Sequence, residues 1–289
     1  MTSTEFKELN DIVSKEIKQG HSFRMIVRNH KAEFSVGERT LYNYVENGYL
    51  DIINLDLPRK VRYKKRKHSN TNTPKKDTKI RINRTFEDFK DYIKNYNDND
   101  YSINIVEMDT VEGLKDENDC FLTLLWRKSK FMLIFKLENQ TTEEVSRIFN
   151  ILQQLIPYDD YKRLFQVILT DNGHEFFDVL NIECMHSTGE QVTKLFFCDP
   201  HMSCQKGMIE KNHEFIRYIL PKGSSFKNIT QEDCDLFMNN INSLCRDSLN
   251  GKSPYEAMLF LCDEYVLKSL NCYYIKPDEV ILNDSLLKY

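Results

Sequence analysis

The chain has 289 residues, of which 40% are hydrophobic and 12% aromatic, so it can bury a substantial core and global disorder is excluded. It contains no apolar run of membrane-spanning length and no signal-peptide-like N-terminus, so we expect a soluble protein inside the cell. The net charge of −4 conceals an asymmetry: residues 58–84 carry a net +11, residues 1–57 a net −2 and residues 85–289 a net −13. A basic segment between acidic regions indicates a polyanionic partner.

The first predicted domain, residues 1–50, has the pattern of three short helices. Its apolar residues repeat at helical spacing, and Gly20 ends the first helix. The third helix lies in "SVGERTLYNYVENG", where Ser35 and Glu38 stand three residues apart as in a capping box and Gly48 marks the end.

Two short helices joined by a tight turn are typical of a helix-turn-helix. On the third helix, four residues are predicted to face outward, where a recognition helix meets DNA: Arg39, Thr40, Tyr42 and Asn43. The alternative is a structural three-helix bundle with a solvated face, because the net charge of −2 on this segment is unfavourable for DNA binding.

Residues 51–97 are predicted to be a basic linker. The stretch "PRKVRYKKRKHSNTNTPKKDTKIRINR" has few large apolar residues and is expected to be extended. Its basic side chains would neutralise DNA phosphates without reading sequence, and the densest run comprises Arg59, Lys60, Arg62, Lys64, Lys65, Arg66 and Lys67. A nuclear-localisation-like run or a plain solvated linker is the alternative.

Strands and helices alternate in the third predicted domain, residues 98–262. A strand in "SINIVEMDTV" and two strands in "CFLTLLWRKSKFMLIFKL" predict a meander, and "TTEEVSRIFNILQQLI" predicts an amphipathic helix. The strand "LFQVILT", the short helix "EFFDVLN", the strand "KLFFC" and the helix "GMIEKNHEFIRYIL" follow. This order predicts an α/β fold with a mixed sheet and helices across it, and leaves residues 263–289 as a C-terminal segment.

Three acidic residues far apart in the sequence fall at the ends of these elements. Asp109 interrupts the first strand, Asp171 follows the fourth in "LTDNGHEF", and Glu210 lies in the first turn of the last helix. Each has an ordinary explanation as a strand-end, turn or helix N-terminal residue. Together they favour a carboxylate cluster that holds divalent ions for phosphoryl transfer on nucleic acid. Three nearby acids rank below them: Glu107, Glu112 and Glu214.

The motifs "MDTVEG", "LTDNGHEF" and "HMSCQKGMIEKNHEFIRYILPKG" resemble the catalytic core of bacterial insertion-sequence transposases of the IS-thirty type. "SVGERTLYNYVENG" and "NSLCRDSLNGKSPYEA" resemble the helix-turn-helix and the closing segment of that family, so the resemblance covers nearly the whole chain. It implies a DDE enzyme with a ribonuclease-H-like integrase core behind a small all-α helix-turn-helix domain. Family members normally begin with a further DNA-binding region, and we expect this chain to be truncated or divergent there.

The resemblance also implies roles for individual residues. Asp109, Asp171 and Glu210 would be the catalytic carboxylates and would hold two Mg²⁺ ions, with Mn²⁺ as a possible replacement. The residues that would shape the site are Asn172, Gly173 and Asn212, and the basic residues that would contact DNA phosphates are Lys206, Arg217 and Lys222.

We therefore expect a DNA transposase that nicks transposon ends and joins the freed 3′-hydroxyl to target DNA. The resemblance implies transposon-end and target DNA as partners, a homodimer or larger synaptic complex, no membrane, and a bacterial cytoplasmic, nucleoid-associated location. The first alternative is a catalytically silent or truncated transposase-derived DNA-binding protein or repressor. A weaker one is a ribonuclease-H-like nuclease without transposition.

Overall fold

The structure, a computed structural model, describes residues 2–58, 79–97, 103–200 and 202–287. The described residues form two compact units. The helical unit contains residues 2–58 together with 275–287, and the core unit contains the described residues from 79 to 274. Within these ranges no helix is both long enough and apolar enough to cross a bilayer.

The helical unit contains three helices, as its apolar pattern predicts: α1 (Ser3–Lys18), α2 (Phe23–Asn29) and α3 (Glu38–Glu46). Each contributes buried apolar side chains to one shared core that includes Leu9, Val13, Ile26, Leu41 and Val45. Burial of these faces stabilises helices that are too short to persist alone.

The ends of α3 are only partly as predicted. Gly48, just beyond the helix, has a φ of +70°, a left-handed conformation that suits glycine at a helix end. The predicted capping box at Ser35 and Glu38 is wrong, because the N-cap of α3 is Gly37, which makes no side-chain capping bond. Ser35 lies too early in the chain to cap this helix.

The end of the chain belongs to the helical unit, so the predicted C-terminal segment 263–289 is divided between the two units. The His21 Nε2 atom lies 2.7 Å from the carbonyl oxygen of Val280, and the backbone N–H of Leu282 donates to Gln19 at 2.8 Å. Val280 and Leu282 are buried. Gly20 has a φ of +92°, and a Cβ there would lie 2.7 Å from the carbonyl oxygen of Leu282. The turn after α1 therefore requires glycine in order to accept this segment.

The core unit is built on a five-stranded mixed sheet. Its strands are β1 (Ile105–Glu112), β2 (Cys120–Trp126), β3 (Met132–Leu137), β4 (Val167–Thr170) and β5 (Lys194–Phe197). They lie in the order β3-β2-β1-β4-β5. The first three form the predicted antiparallel meander, whereas β4 is parallel to β1 and β5 is parallel to β4. The predicted α/β class is confirmed.

Helices of the core unit connect and cover these strands. They are α4 (Phe86–Asn97), α5 (Thr142–Leu155), α6 (Tyr158–Leu164), α7 (Val179–Glu183), α8 (Gly207–Ile219), α9 (Gln231–Ser243), α10 (Pro254–Met258) and α11 (Glu264–Ser269). The passage from β3 to β4 goes through α5, as a crossover between antiparallel and parallel parts of a sheet requires. Asn242 of α9 bonds both the N–H and the C=O of Met132 at 2.9 and 2.8 Å, which covers the free edge of β3.

The predicted basic linker is not extended throughout, because α4 occupies residues 86–97 and packs on the sheet. Phe89 is buried against β4 and β5, and its ring meets Phe196 edge to face at 5.7 Å. Arg84, which belongs to the basic stretch, pairs with buried Glu183 at 2.8 Å. Apolar residues at helical spacing explain the helix, which the basic composition of the preceding stretch obscured.

Candidate active site

Pairing between β1 and β4 places the first two predicted carboxylates side by side. In the parallel register Glu107 is the partner of Leu169. Continuing by two residues sets Asp109 level with Asp171, and both side chains leave the same face because orientation alternates along a strand. Asp171 lies just beyond β4, where its Oδ1 accepts from the backbone N–H of Gly173 at 2.9 Å. The predicted turn is therefore also the device that presents this carboxylate.

The ammonium of Lys206 lies between the two carboxylates. Its Nζ is 3.0 Å from Asp109 Oδ1, 3.5 Å from Asp171 Oδ2 and 3.2 Å from the carbonyl oxygen of Met108. Only 4% of the Lys206 side chain is exposed. It therefore does not present a free charge to solvent, as a residue that contacts DNA phosphates would.

The two aspartates have different environments. The Asp109 side chain is 16% exposed and that of Asp171 is 48% exposed. Burial raises the pKa of Asp109 to about 6, and the nearby charge of Asp171 also raises it, while Lys206 and the backbone N–H of Thr110 act in the opposite direction. A cation at this position would stabilise the ionised form of Asp109.

Glu175 supports the loop that carries Asp171 and was not singled out from the sequence. Its buried carboxylate accepts from the Thr110 hydroxyl at 3.0 Å and from the Gln140 amide at 2.6 Å. A Cβ on Gly173 would lie 2.5 Å from Glu175 Oε2. Glycine at position 173 therefore lets the loop fold over this buried carboxylate.

Three contacts fix the course of α8 along β1. The backbone N–H of Ile209 donates to Glu107 at 2.7 Å, the His213 ring bonds Thr123 at 2.9 Å, and Arg217 donates to the carbonyl of Glu112 at 2.8 Å. Thr123 is the partner of Asp109 in β2. Glu210, between the first two contacts, is thereby held beside the segment of β1 that leads to Asp109.

Glu210 itself is exposed. No group of three His, Cys, Asp or Glu side chains within the described ranges is arranged so that it could hold a metal ion. The structure thus brings Asp109 and Asp171 together around Lys206 and keeps Glu210 outside this pair, on the neighbouring helix.

A buried ion pair secures the start of α8. Glu107 is 1% exposed and accepts from Arg127 Nε at 2.7 Å as well as from Ile209, while Arg127 also donates to the carbonyl of Gln205 at 2.8 Å. Glu107 therefore acts as a fixed structural acceptor rather than as a free carboxylate. Its position two residues before Asp109 was the available sequence signal.

His213 is partly buried beside this site, and desolvation lowers its pKa to about 3, with Lys206 and Arg217 adding to the effect. A neutral ring is therefore maintained where α8 approaches β2. No sequence pattern had singled out His213.

The remaining predicted residues fall into four groups. Asn172 and Asn212 are buried and bond the backbone carbonyls of Cys198 and Met208 at 2.8 and 2.9 Å. Arg217 is partly buried, whereas Lys222 is exposed. In the helical unit Arg39, Tyr42 and Asn43 are exposed and Thr40 is partly exposed. The basic run Arg59, Lys60, Arg62, Lys64, Lys65, Arg66 and Lys67 lies outside the described residues.

The donor set fits a hard divalent cation. Asp109 and Asp171 offer only carboxylate oxygens, the ligands that Mg²⁺ and Mn²⁺ prefer, whereas Glu210 lies outside this pair on α8. The pair of aspartates already surrounds one positive charge, which shows that the pocket stabilises a cation.

Comparison with known proteins finds similar sequences among integrases and transposases. No family model matches the chain. A Spiroplasma virus SpV1-R8A2 B protein named as an integrase, ORF3, is 30% identical over 79% of this chain and 65% of its own length. The transposase InsI of insertion sequence element IS30C from Escherichia coli K12 is 31% identical over 55% of this chain and 39% of its own length. The chain thus spans less than two thirds of either relative.

The crystal structure of the catalytic core domain of BIV integrase matches with a TM-score of 0.39 and 17% identity, over 54% of this chain and 93% of that one. The chain is similar in sequence to the transposases of IS30-type insertion sequences.

Proposed function

We propose that this protein is a DNA transposase, a metal-dependent polynucleotidyl transferase that uses Asp109, Asp171 and Glu210. The proposal is carried by one observation. Asp109 and Asp171 lie at neighbouring positions of adjacent strands, and both contact the ammonium of Lys206. The relationship to transposases supplies the substrate class, which is DNA.

Each of the three carboxylates would have its own role in the reaction. Asp109 would bind a divalent ion from a fixed position within β1, and Asp171 would bind it from an exposed turn. One carboxylate is therefore rigid and the other is accessible. Glu210 would supply the third carboxylate from α8, whose position depends on Glu107. Divalent ions bound there would activate the attacking hydroxyl and stabilise the departing oxygen in each in-line displacement.

DNA would bind to surfaces of the protein that do not include these acidic residues. The exposed residues of α3, among them Arg39 and Asn43, would meet one DNA segment, and Lys222 would contact phosphates near the core. Transposon ends and target DNA would be the two substrates. Because two ends must be joined, we also propose a homodimer or larger complex on DNA.

A nicking assay tests the proposal. The substrate is a supercoiled plasmid that carries this gene with its flanking DNA, incubated with Mg²⁺ or Mn²⁺. We expect metal-dependent nicking by the wild type and a loss of at least about a hundredfold in Asp109→Asn and Asp171→Asn. DNA binding, measured by mobility shift, should be retained in both variants.

Asp116→Asn is the matched control, since Asp116 is an exposed acid in the same unit that is not placed in the site. It should nick as the wild type does. Full nicking by either site variant would overturn the assignment of the carboxylates. Binding without metal-dependent nicking in the wild type would instead support the transposase-derived repressor.

A further inference from the structure

The buried ammonium of Lys206 is surrounded by oxygen atoms that compensate its charge. An ammonium group has three N–H donors, and Lys206 Nζ has three oxygen partners: it donates to the carbonyl of Met108 at 3.2 Å and forms ion pairs with Asp109 and Asp171 at 3.0 and 3.5 Å. Lys206 is itself among the buried residues. Burial of an ammonium is unfavourable unless it is paired in this way.

The charges at this site do not balance. Asp109 and Asp171 together carry two negative charges when ionised, and Lys206 supplies one positive charge, so the group remains negative. A divalent cation would neutralise both carboxylates by itself. An ammonium within 3 to 4 Å of that cation would then be repelled, and it would lose two of its three acceptors.

We infer that the Lys206 ammonium is the resident counter-ion of the Asp109–Asp171 pair and gives up its place when a divalent cation binds. This inference rests on the proposed function, because it takes the two aspartates as metal-binding groups. Lys206 would keep the metal-free site assembled, because its positive charge offsets the repulsion between the two carboxylates that it contacts. It would also set the affinity for metal, since every ion that binds must displace it.

Lys206 has a suitable position for such an exchange. It ends the short 3-10 helix Ser203–Lys206 and directly precedes α8. The neighbouring carbonyl of Gln205 is fixed by Arg127, so the side chain of Lys206 can leave while the backbone remains anchored. Once displaced, the ammonium would lie at the border of the site, where it could meet a DNA phosphate.

Metal affinity provides the first test. Mn²⁺ binding to the full chain without DNA is measured by the relaxation of water protons for the wild type, Lys206→Met and Lys211→Met. Lys211 is an exposed lysine on α8 and serves as the control. We expect Lys206→Met to bind Mn²⁺ about tenfold more tightly than the wild type, because it has no competing cation. It should also melt at a lower temperature without metal and recover more stability when metal is added.

Unchanged or weaker Mn²⁺ binding by Lys206→Met would overturn the inference while leaving the proposed function intact. Absence of Mn²⁺ binding in the wild type and in Lys206→Met would overturn both.

A second test uses the wild type, in case Lys206→Met does not fold. Exposed amines are acetylated with the N-hydroxysuccinimide ester of acetic acid, and the sites are quantified by mass spectrometry with and without Mn²⁺. Lys206 should be protected without metal and labelled several-fold more when Mn²⁺ is present, whereas exposed Lys222 should be labelled equally in both. Protection of Lys206 that persists at saturating Mn²⁺ would refute the displacement.

Discussion

Removal of the Glu107 carboxylate should loosen the start of α8. In Glu107→Ala the guanidinium of Arg127 loses an acceptor at 2.7 Å, and the buried N–H of Ile209 loses its acceptor at 2.7 Å. Both losses fall on the contacts that keep α8 beside β1. We therefore expect a loss of stability together with a loss of nicking activity.

The magnitude follows from burial. Glu107 is 1% exposed and Arg127 is 23% exposed, so the pair is mostly desolvated but not completely. Removing one partner of a buried pair costs about 3–5 kcal/mol, and the partial exposure of Arg127 favours the lower end, about 3 kcal/mol. For a unit of this size, that corresponds to a decrease in melting temperature of roughly 6–12 °C.

Thermal unfolding measured by the fluorescence of Trp126 is a suitable assay. Trp126 is the single tryptophan of the chain and is buried in the core unit, so it reports that unit. Glu138→Ala, which removes an exposed glutamate just after β3, is the control and should shift the free energy of unfolding by less than about 0.5 kcal/mol.

A double-mutant cycle with Arg127→Ala would then isolate the pair. We expect the double variant to be less destabilised than the sum of the single variants, because the second change no longer leaves a buried charge without a partner. If the free energies of unfolding of Glu107→Ala and Glu138→Ala differ by less than about 0.5 kcal/mol, this pair does not anchor α8.

Two further predictions concern other parts of the molecule. Gly173→Ala should destabilise the core unit by about 1–3 kcal/mol, because its Cβ would lie 2.5 Å from a carboxylate oxygen of Glu175; thermal unfolding within 0.5 kcal/mol of the wild type would contradict this. In the helical unit, burial lowers the pKa of His30, but the hydrogen bonds that its ring donates to the Glu16 and Glu33 carboxylates outweigh burial, and the pKa is raised above its ordinary value. A raised pKa stabilises the fold below the ordinary value and loses this contribution as the pH rises through the folded-state value. Hydrogen exchange of the α1 amides, corrected for intrinsic rates, should therefore speed up above neutral pH, and His30→Gln should abolish that dependence.

Much of the core fold could be predicted because the patterns that indicate its strands and helices involve residues close together in the sequence. Alternating and continuous apolar runs predicted the strands, and helical spacing predicted α5 and α8. The turn at Asp171 could be recognised from Asp-Asn-Gly alone. The error at α3 arose because Ser35 and Glu38 have the spacing of a capping box, although the backbone begins the helix at Gly37.

The helix α4 and the division of the C-terminal segment were not predicted, for a different reason. A charged stretch obscured the apolar residues of α4, which are stabilised by packing on β5 rather than by their own propensity. Val280 and Leu282 join the helical unit through contacts with residues more than 250 positions away. No local pattern contains that information.

The sequence by itself determined most of the strands and helices, and it placed Asp109 in the first strand and Asp171 directly after the fourth. Only the tertiary structure decided that the parallel register of β1 and β4 sets these two aspartates side by side, that Lys206 lies between them, and that Glu210 stays exposed on α8. The physical reason is that strand and helix patterns depend on neighbouring residues. The position of a buried charge depends instead on which distant groups the packed chain brings within 3 to 4 Å.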